Sequence, residues 1–168
     1  MTVLETERLV LRPPKADDFD RLKPFLMTDR ARFVGGGADK DETHAWRVLA
    51  ILCGHWALRG YGTFVAEERA TSTPVASVGP WFPAGWPERE IGWAVWSEAA
   101  EGMGFAREAA RRVVTHVFDD LGWQTAVSYI DPANTRSIAL AERLGAVHDT
   151  AANGPEATDL VYRHRRIA

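Results

Sequence analysis

Glu101-Gly102-Met103-Gly104-Phe105-Ala106-Arg107 lies between a strand-like segment and the most regular helical stretch of the chain. From Gly104 onward, Phe105, Ala106, Ala109, Ala110, Val113, Val114, Val117, Phe118 and Leu121 recur every three or four residues. That spacing predicts one continuous apolar helix face, which Gly122 stops. Two glycines ahead of a helix allow unusual dihedrals and a close approach of the backbone to a ligand. The first helical amides lack intrahelical partners and carry the positive end of the helix dipole. Together these features make an anion site suited to a pyrophosphate.

Four structures fit such a loop to different degrees. A plain glycine turn into a helix needs no ligand. A dinucleotide loop needs G-x-G-x-x-G, but Arg107 occupies the third glycine position, where close helix–strand packing demands a small residue. That residue and the order of strands disfavour a nucleotide-binding oxidoreductase. A Walker-type loop needs Gly-Lys-Ser/Thr, which is absent. On the loop alone, the plain turn and a coenzyme A pyrophosphate loop both stay open.

Working outward, residues 8–12 alternate polar and apolar and read as a first strand ended by Pro13-Pro14. Residues 15–27 have Phe19, Leu22, Phe25 and Leu26 at helical spacing, with Pro24 placed to kink or split them. A second helix is expected over 41–58, with Trp46, Leu49, Ala50, Cys53 and Ala57 as its buried stripe. Strands are expected over 61–67, 75–82, 89–96 and 124–130, a helix over 134–144, and closing strands over 146–150 and 158–164. This order predicts an α/β fold with a mixed sheet, not a strictly alternating parallel one.

Asp131-Pro132-Ala133-Asn134 follows a strand and leads into Thr135-Arg136-Ser137-Ile138-Ala139-Leu140-Ala141-Glu142-Arg143-Leu144-Gly145. Asn134 reads as an N-cap and Gly145 as the glycine beyond the helix end. The two segments together resemble the signatures of the GNAT superfamily of N-acetyltransferases: Gln or Arg followed by x-x-Gly-x-Gly/Ala, and later an Asn opening a helix. Gly104 and Ala106 match the first signature. Glu101 replaces its Gln or Arg, and Ala146 replaces an aromatic residue at the end of the second. Thr6-Glu7-Arg8-Leu9-Val10-Leu11-Arg12 and Glu90-Ile91-Gly92-Trp93 resemble the branch that contains the ribosomal-protein N-terminal acetyltransferases.

The resemblance implies a single domain over 1–168, with a GNAT-like twisted sheet of six to seven strands flanked by about four helices. The sheet would splay between the strand before the loop and the strand before Asn134. Acetyl-coenzyme A would lie in that gap as cosubstrate. Gly102, Met103, Gly104, Phe105, Ala106 and Arg107 would hold its pyrophosphate through backbone amides, and Asn134 and Ser137 would contact its pantetheine and pyrophosphate region. A backbone N–H near Val95 or Trp96 would bind the thioester oxygen. The implied reaction moves an acetyl group to a primary amine by direct attack; a non-catalytic coenzyme A-binding or sensing module is the alternative. A carboxylate at Glu101 beside a diphosphate leads to the expectation that Glu101→Gln tightens binding.

For catalysis, Glu88, Glu90 and Glu98 lie near the expected site, and Glu90 shares a strand face with Gly92 and Ala94. Glu90 is the candidate base. Ser128 and Tyr129 point to opposite faces of the next strand, so one hydroxyl is expected to face the cleft. Many enzymes of the superfamily carry a Tyr acid at the position that is Ala141 here, so a hydroxyl from Tyr129 or Ser128 is the candidate replacement. Seven tryptophans are present, and Trp86, in the loop Pro83-Ala84-Gly85-Trp86-Pro87, is the candidate acceptor wall.

Composition bounds the rest. A net charge of −3 argues against nucleic acid or an acidic membrane surface as partner. Apolar runs are too short to span a bilayer. No basic-then-apolar leader opens the chain, and the lone Cys53 suits a reducing cytoplasm and a packing role. The five histidines lack metal-ligand spacing, so no metal is expected. A homodimer is left open.

Overall fold

The computed structural model describes residues 2–166. An eight-stranded mixed sheet is ordered β1-β2-β3-β4-β5-β6-β8-β7. Its strands are β1 (Leu4–Glu5), β2 (Leu9–Arg12), β3 (Phe64–Glu68), β4 (Thr73–Trp81), β5 (Glu90–Val95), β6 (Ala126–Ile130), β7 (Val147–His148) and β8 (Leu160–His164). Four main helices accompany it: α1 (Phe19–Leu26), α2 (Glu42–Arg59), α3 (Phe105–Asp119) and α4 (Thr135–Arg143). The strand beyond the expected six to seven is β1, two residues long and too short to leave a periodic signal.

α3 buries the face its periodicity announced: Phe105, Ala109, Ala110, Val113, Val114, Val117 and Phe118 are all buried. They pack on Leu9, Leu11, Phe64, Ala76, Val78 and Ile91 of the sheet in one core cluster. Burying a large aliphatic or aromatic side chain contributes roughly 1.5–3 kcal/mol, so this helix–sheet layer is a major source of stability. It also sets the loop before α3 against the end of β5.

α2 differs from expectation. Its buried positions are Ala45, Leu49 and His55, with Val48, Leu52 and Cys53 packed alongside, whereas Trp46 is 54% exposed and Ala50 and Ala57 are exposed. Apolar residues surround this helix on nearly every side, so periodicity alone could not select the face. Its start follows local chemistry: Asp41 caps it by accepting from the His44 N–H at 2.8 Å. The break near Pro24 lies upstream instead, where a 3-10 turn over Ala16–Asp18 precedes α1 and Pro24 stays inside the helix.

β4 and β5 pair antiparallel along six residues, from Ala76 opposite Val95 to Trp81 opposite Glu90. β5 and β6 run parallel and share one register pair, Glu90 with Val127. Beyond it the two strands part, which opens a cleft in the middle of the sheet.

Candidate active site

The cleft floor is built by the ladder pattern of β5. Trp96 donates its N–H to the Val75 carbonyl at 2.8 Å, while Val95 lies opposite Ala76. Residues next to a bonded pair in an antiparallel ladder turn their N–H and C=O away from that neighbour. Val95 therefore directs its backbone groups towards the gap. Of the two expected oxyanion donors, Trp96 is corrected: its amide is consumed within the sheet, and Val95 remains.

Ser128 braces the point where the strands part. Its hydroxyl donates to the Ile91 carbonyl at 2.5 Å and lies 2.8 Å from His164 Nε2. A hydroxyl has one proton, so His164 Nε2 carries the proton of the second bond. Burial drives His164 down to about 4, which keeps it neutral. With Ser128 buried and its proton engaged, the expectation that it could protonate a leaving group is corrected to a bracing role.

The loop before α3 has the geometry an anion needs. Gly102 and Gly104 both have positive φ, 77° and 80°. Gly104 is the N-cap of α3, and no side chain caps the helix, so the amides of Phe105, Ala106 and Arg107 face outward without intrahelical partners. The Met103 N–H is bonded at 3.3 Å to the Ala100 carbonyl and drops out of the expected donor set. The loop is tied to the N-terminal segment: Arg8 donates to the Met103 carbonyl at 2.9 Å and to Glu108 at 2.7 Å, and Thr6 donates to Glu108 at 2.6 Å. These bonds give Thr6 and Arg8 a structural role in holding the loop. A built-in cradle with outward amides fits a coenzyme diphosphate.

On the other wall, Asn134 caps α4 by accepting from the Ser137 N–H at 3.2 Å, and Ser137 accepts from Trp93 Nε1 at 3.2 Å. Both side chains line a cavity of about 680 Å³ that runs along the cleft. Replacing Asn134 by Ala removes the cap, which costs about 1 kcal/mol. One lost ligand hydrogen bond would also lower kcat/KM by about tenfold. Kinetics measured well below the melting temperature check this. If melting falls while kcat/KM holds, Asn134 is a cap and nothing more.

The far end of the same cavity holds Trp81, Trp86, Glu90 and Tyr129. Trp86 Nε1 donates to Glu90 Oε2 at 2.7 Å, and the Trp86 ring meets the Tyr129 ring edge-on at 6.3 Å. Protein walls in the Glu90 carboxyl although the residue keeps partial exposure to the cleft. Burial pushes it up to about 7, against the stabilising Trp86 N–H and with help from the charge of Asp159. The other two carboxylates are elsewhere engaged or placed. Glu88 is bound by Arg163 at 2.8 and 2.9 Å, which lowers its pKa; Glu98 sits exposed on a 3-10 turn. The Tyr129 hydroxyl is buried without a hydrogen-bond partner among the described residues, and burial raises it to about 12.

Sequence reasoning missed Arg30. It donates to Glu101 Oε1 at 2.8 and 2.6 Å, to the Trp96 carbonyl at 3.1 Å and to the Val95 carbonyl at 3.2 Å. It stands 71 positions from Glu101, and no local pattern could have flagged it.

A family model described as "Acetyltransferase (GNAT) domain" matches residues 8–147. A crystal structure of an acetyltransferase from Agrobacterium tumefaciens str. C58 is similar at 34% identity and TM-score 0.91, covering 99% of this chain and 95% of that one. Among curated proteins, uncharacterized protein YkkB of Bacillus subtilis (strain 168) is 29% identical over 153 residues, 86% of this chain and 84% of the relative. The fold is also that of a putative ribosomal-protein-serine acetyltransferase from Vibrio cholerae, at 21% identity and TM-score 0.77, with 96% of each chain covered.

Proposed function

The chain belongs to the GNAT acetyltransferase family, whose cosubstrate is acetyl-coenzyme A, and from that premise we propose that it acetylates a primary amine of low pKa by direct attack. The observation that carries this reading is Glu90, a carboxyl of raised pKa in an aromatic pocket of a cavity that also reaches Ala94 and Trp96, on either side of Val95. The diphosphate would rest on the amides of Gly102 and of Gly104 to Arg107, and the pantetheine arm would pass Asn134 and Ser137.

The amine must be neutral to attack. Glu90, with a pKa near the working pH, would take its proton directly or through a water. As the amine nitrogen bonds to the thioester carbon, negative charge grows on the carbonyl oxygen. The Val95 N–H, fixed by the sheet, would stabilise it without reorganisation, commonly the largest catalytic effect. The carbon–sulfur bond then breaks and the thiolate departs.

Ala141 is fully buried at the position where many relatives carry an acid. The Tyr129 hydroxyl is the proposed substitute. A phenol held at about 12 stays protonated, whereas a thiolate with a pKa near 8.5 is a tolerable leaving group. Tyr129 would therefore keep its proton, and acting as a hydrogen-bond donor to the sulfur would require its buried hydroxyl to turn into the cleft.

An α-amine of pKa near 7.8 costs roughly 1.1 kcal/mol to deprotonate at pH 7, against roughly 4.6 for a lysine of pKa near 10.4. With one base in the pocket, peptide N-termini or small amines of similar basicity should be preferred. A screen of acceptors with labelled acetyl-coenzyme A at pH 7 tests this. Faster turnover of lysine side chains than of α-amines would contradict it. The same assay decides against a coenzyme A-sensing module if any amine is acetylated.

A further inference from the structure

Glu101 and its partners lie outside the mechanism derived above. Arg30 belongs to the 3-10 segment Asp29–Val34, whose Arg32, Phe33 and Val34 line the same cavity. Its guanidinium has every donor nitrogen engaged. Nε and Nη2 bind Glu101 Oε1 at 2.8 and 2.6 Å, Nη1 binds the Trp96 carbonyl, and Nη2 also binds the Val95 carbonyl. The plane sits 5.4 Å from the Phe25 ring centre. Glu101 Oε2 accepts from Arg136 Nη1 at 2.6 Å.

The two arginines do not count equally. Arg136 is 82% exposed, and an exposed ion pair contributes little. The Arg30 and Glu101 side chains are 27% and 28% exposed, and Arg30 also binds two backbone carbonyls at the end of β5. A planar guanidinium can bridge a carboxylate and two carbonyls at once, which an ammonium cannot do. Burial pushes the Glu101 carboxyl up, but the hydrogen bonds from Arg30 and Arg136 outweigh it and hold the group below its ordinary value. The carboxylate that looks hostile to a diphosphate in the sequence is thus already spent.

We propose that Arg30, anchored by Glu101, is a positioning residue that fixes the end of β5 and so aims the Val95 N–H at the thioester oxygen. The carboxylate at position 101 is then the partner that holds Arg30 in place. This rests on the reading that Val95 faces the reacting carbonyl and that the glycine loop holds the cosubstrate.

The consequence is a split between turnover and binding. Glu101→Gln keeps the shape but loses the charge that holds the guanidinium. It should lower kcat at least tenfold and change the calorimetric Kd for acetyl-coenzyme A less than threefold. Arg30→Met should lower kcat as far, but it frees the Glu101 charge and should also weaken acetyl-coenzyme A binding; Arg30→Lys should lower kcat nearly as far while keeping that charge paired. The double variant Glu101→Gln/Arg30→Met should be no worse than either single one, because both remove one unit.

Undiminished kcat in Glu101→Gln with tighter binding would overturn the proposal and restore simple charge repulsion at the loop. So would full kcat in Arg30→Lys, or losses that multiply in the double variant. The loop reading fails separately, if Gly104→Val retains normal affinity. Thermal melting of each variant confirms that folded protein is compared, and Arg30→Lys serves if Arg30→Met does not fold.

Discussion

Gly104→Val is expected to weaken acetyl-coenzyme A binding by more than about 100-fold while leaving a folded protein. Three effects act together. The residue sits at φ 80°, and left-handed backbone costs a residue with a Cβ about 1–2 kcal/mol, more for a β-branched one. A Cβ there would lie 3.4 Å from Arg8 Nη2, the side chain that ties Met103 in place. The two valine methyls would also stand where a diphosphate must approach the amides of α3. The backbone cost alone should lower Tm by roughly 2–8 °C for a chain of this size. Calorimetry at low temperature separates the effects. Gly104→Ala shares the backbone strain with less bulk and should lose less affinity. Unchanged affinity in folded Gly104→Val would remove the loop from the binding site.

Glu90→Gln is expected to lower kcat/KM about 100-fold near pH 7, the lower end of what a positioned general base supplies. The wild-type profile should break near 7, where Glu90 ionises, and the variant should lose that break. The deficit should be constant below about 7 and shrink above it, because the amine increasingly deprotonates unaided. A pH-independent defect would mean that Glu90 binds the acceptor and is not its base.

Stability gives an independent check of the same group. A carboxyl raised in the folded state from its ordinary value to about 7 favours folding fully below its unfolded pKa. That contribution is lost as pH rises through about 7. The variant, always neutral and still able to accept from Trp86 Nε1, should melt higher than wild type at pH 8 and like it at pH 4. Equal melting at both pH values would show that the Glu90 pKa is not raised.

Features with a local cause were legible in the sequence. α3 announced itself through an apolar repeat that a helix converts into one face, and that face is buried as expected. Gly102 and Gly104 marked the loop because few other residues tolerate positive φ there. Asn134 opened α4 as a cap because its side chain reaches an amide three residues on. The mixed order of the sheet followed from the succession of elements, and the two signatures carried the family.

Tertiary structure alone decided the rest. Four backbone and side-chain groups expected at the reaction centre differ in what they can do, and the difference lies in their distant partners. Trp96 loses its amide to Val75, Ser128 gives its proton to Ile91, and Glu88 is held by Arg163. Glu90 keeps a carboxyl walled in beside Trp86. Glu101 looked like a misplaced charge until Arg30, 71 positions away, was brought against it. Periodicity and capping report on residues within a turn or two of each other. Which amide is spent, which carboxylate is paired and which face of α2 turns inward depend on groups that only the folded chain brings within hydrogen-bonding distance.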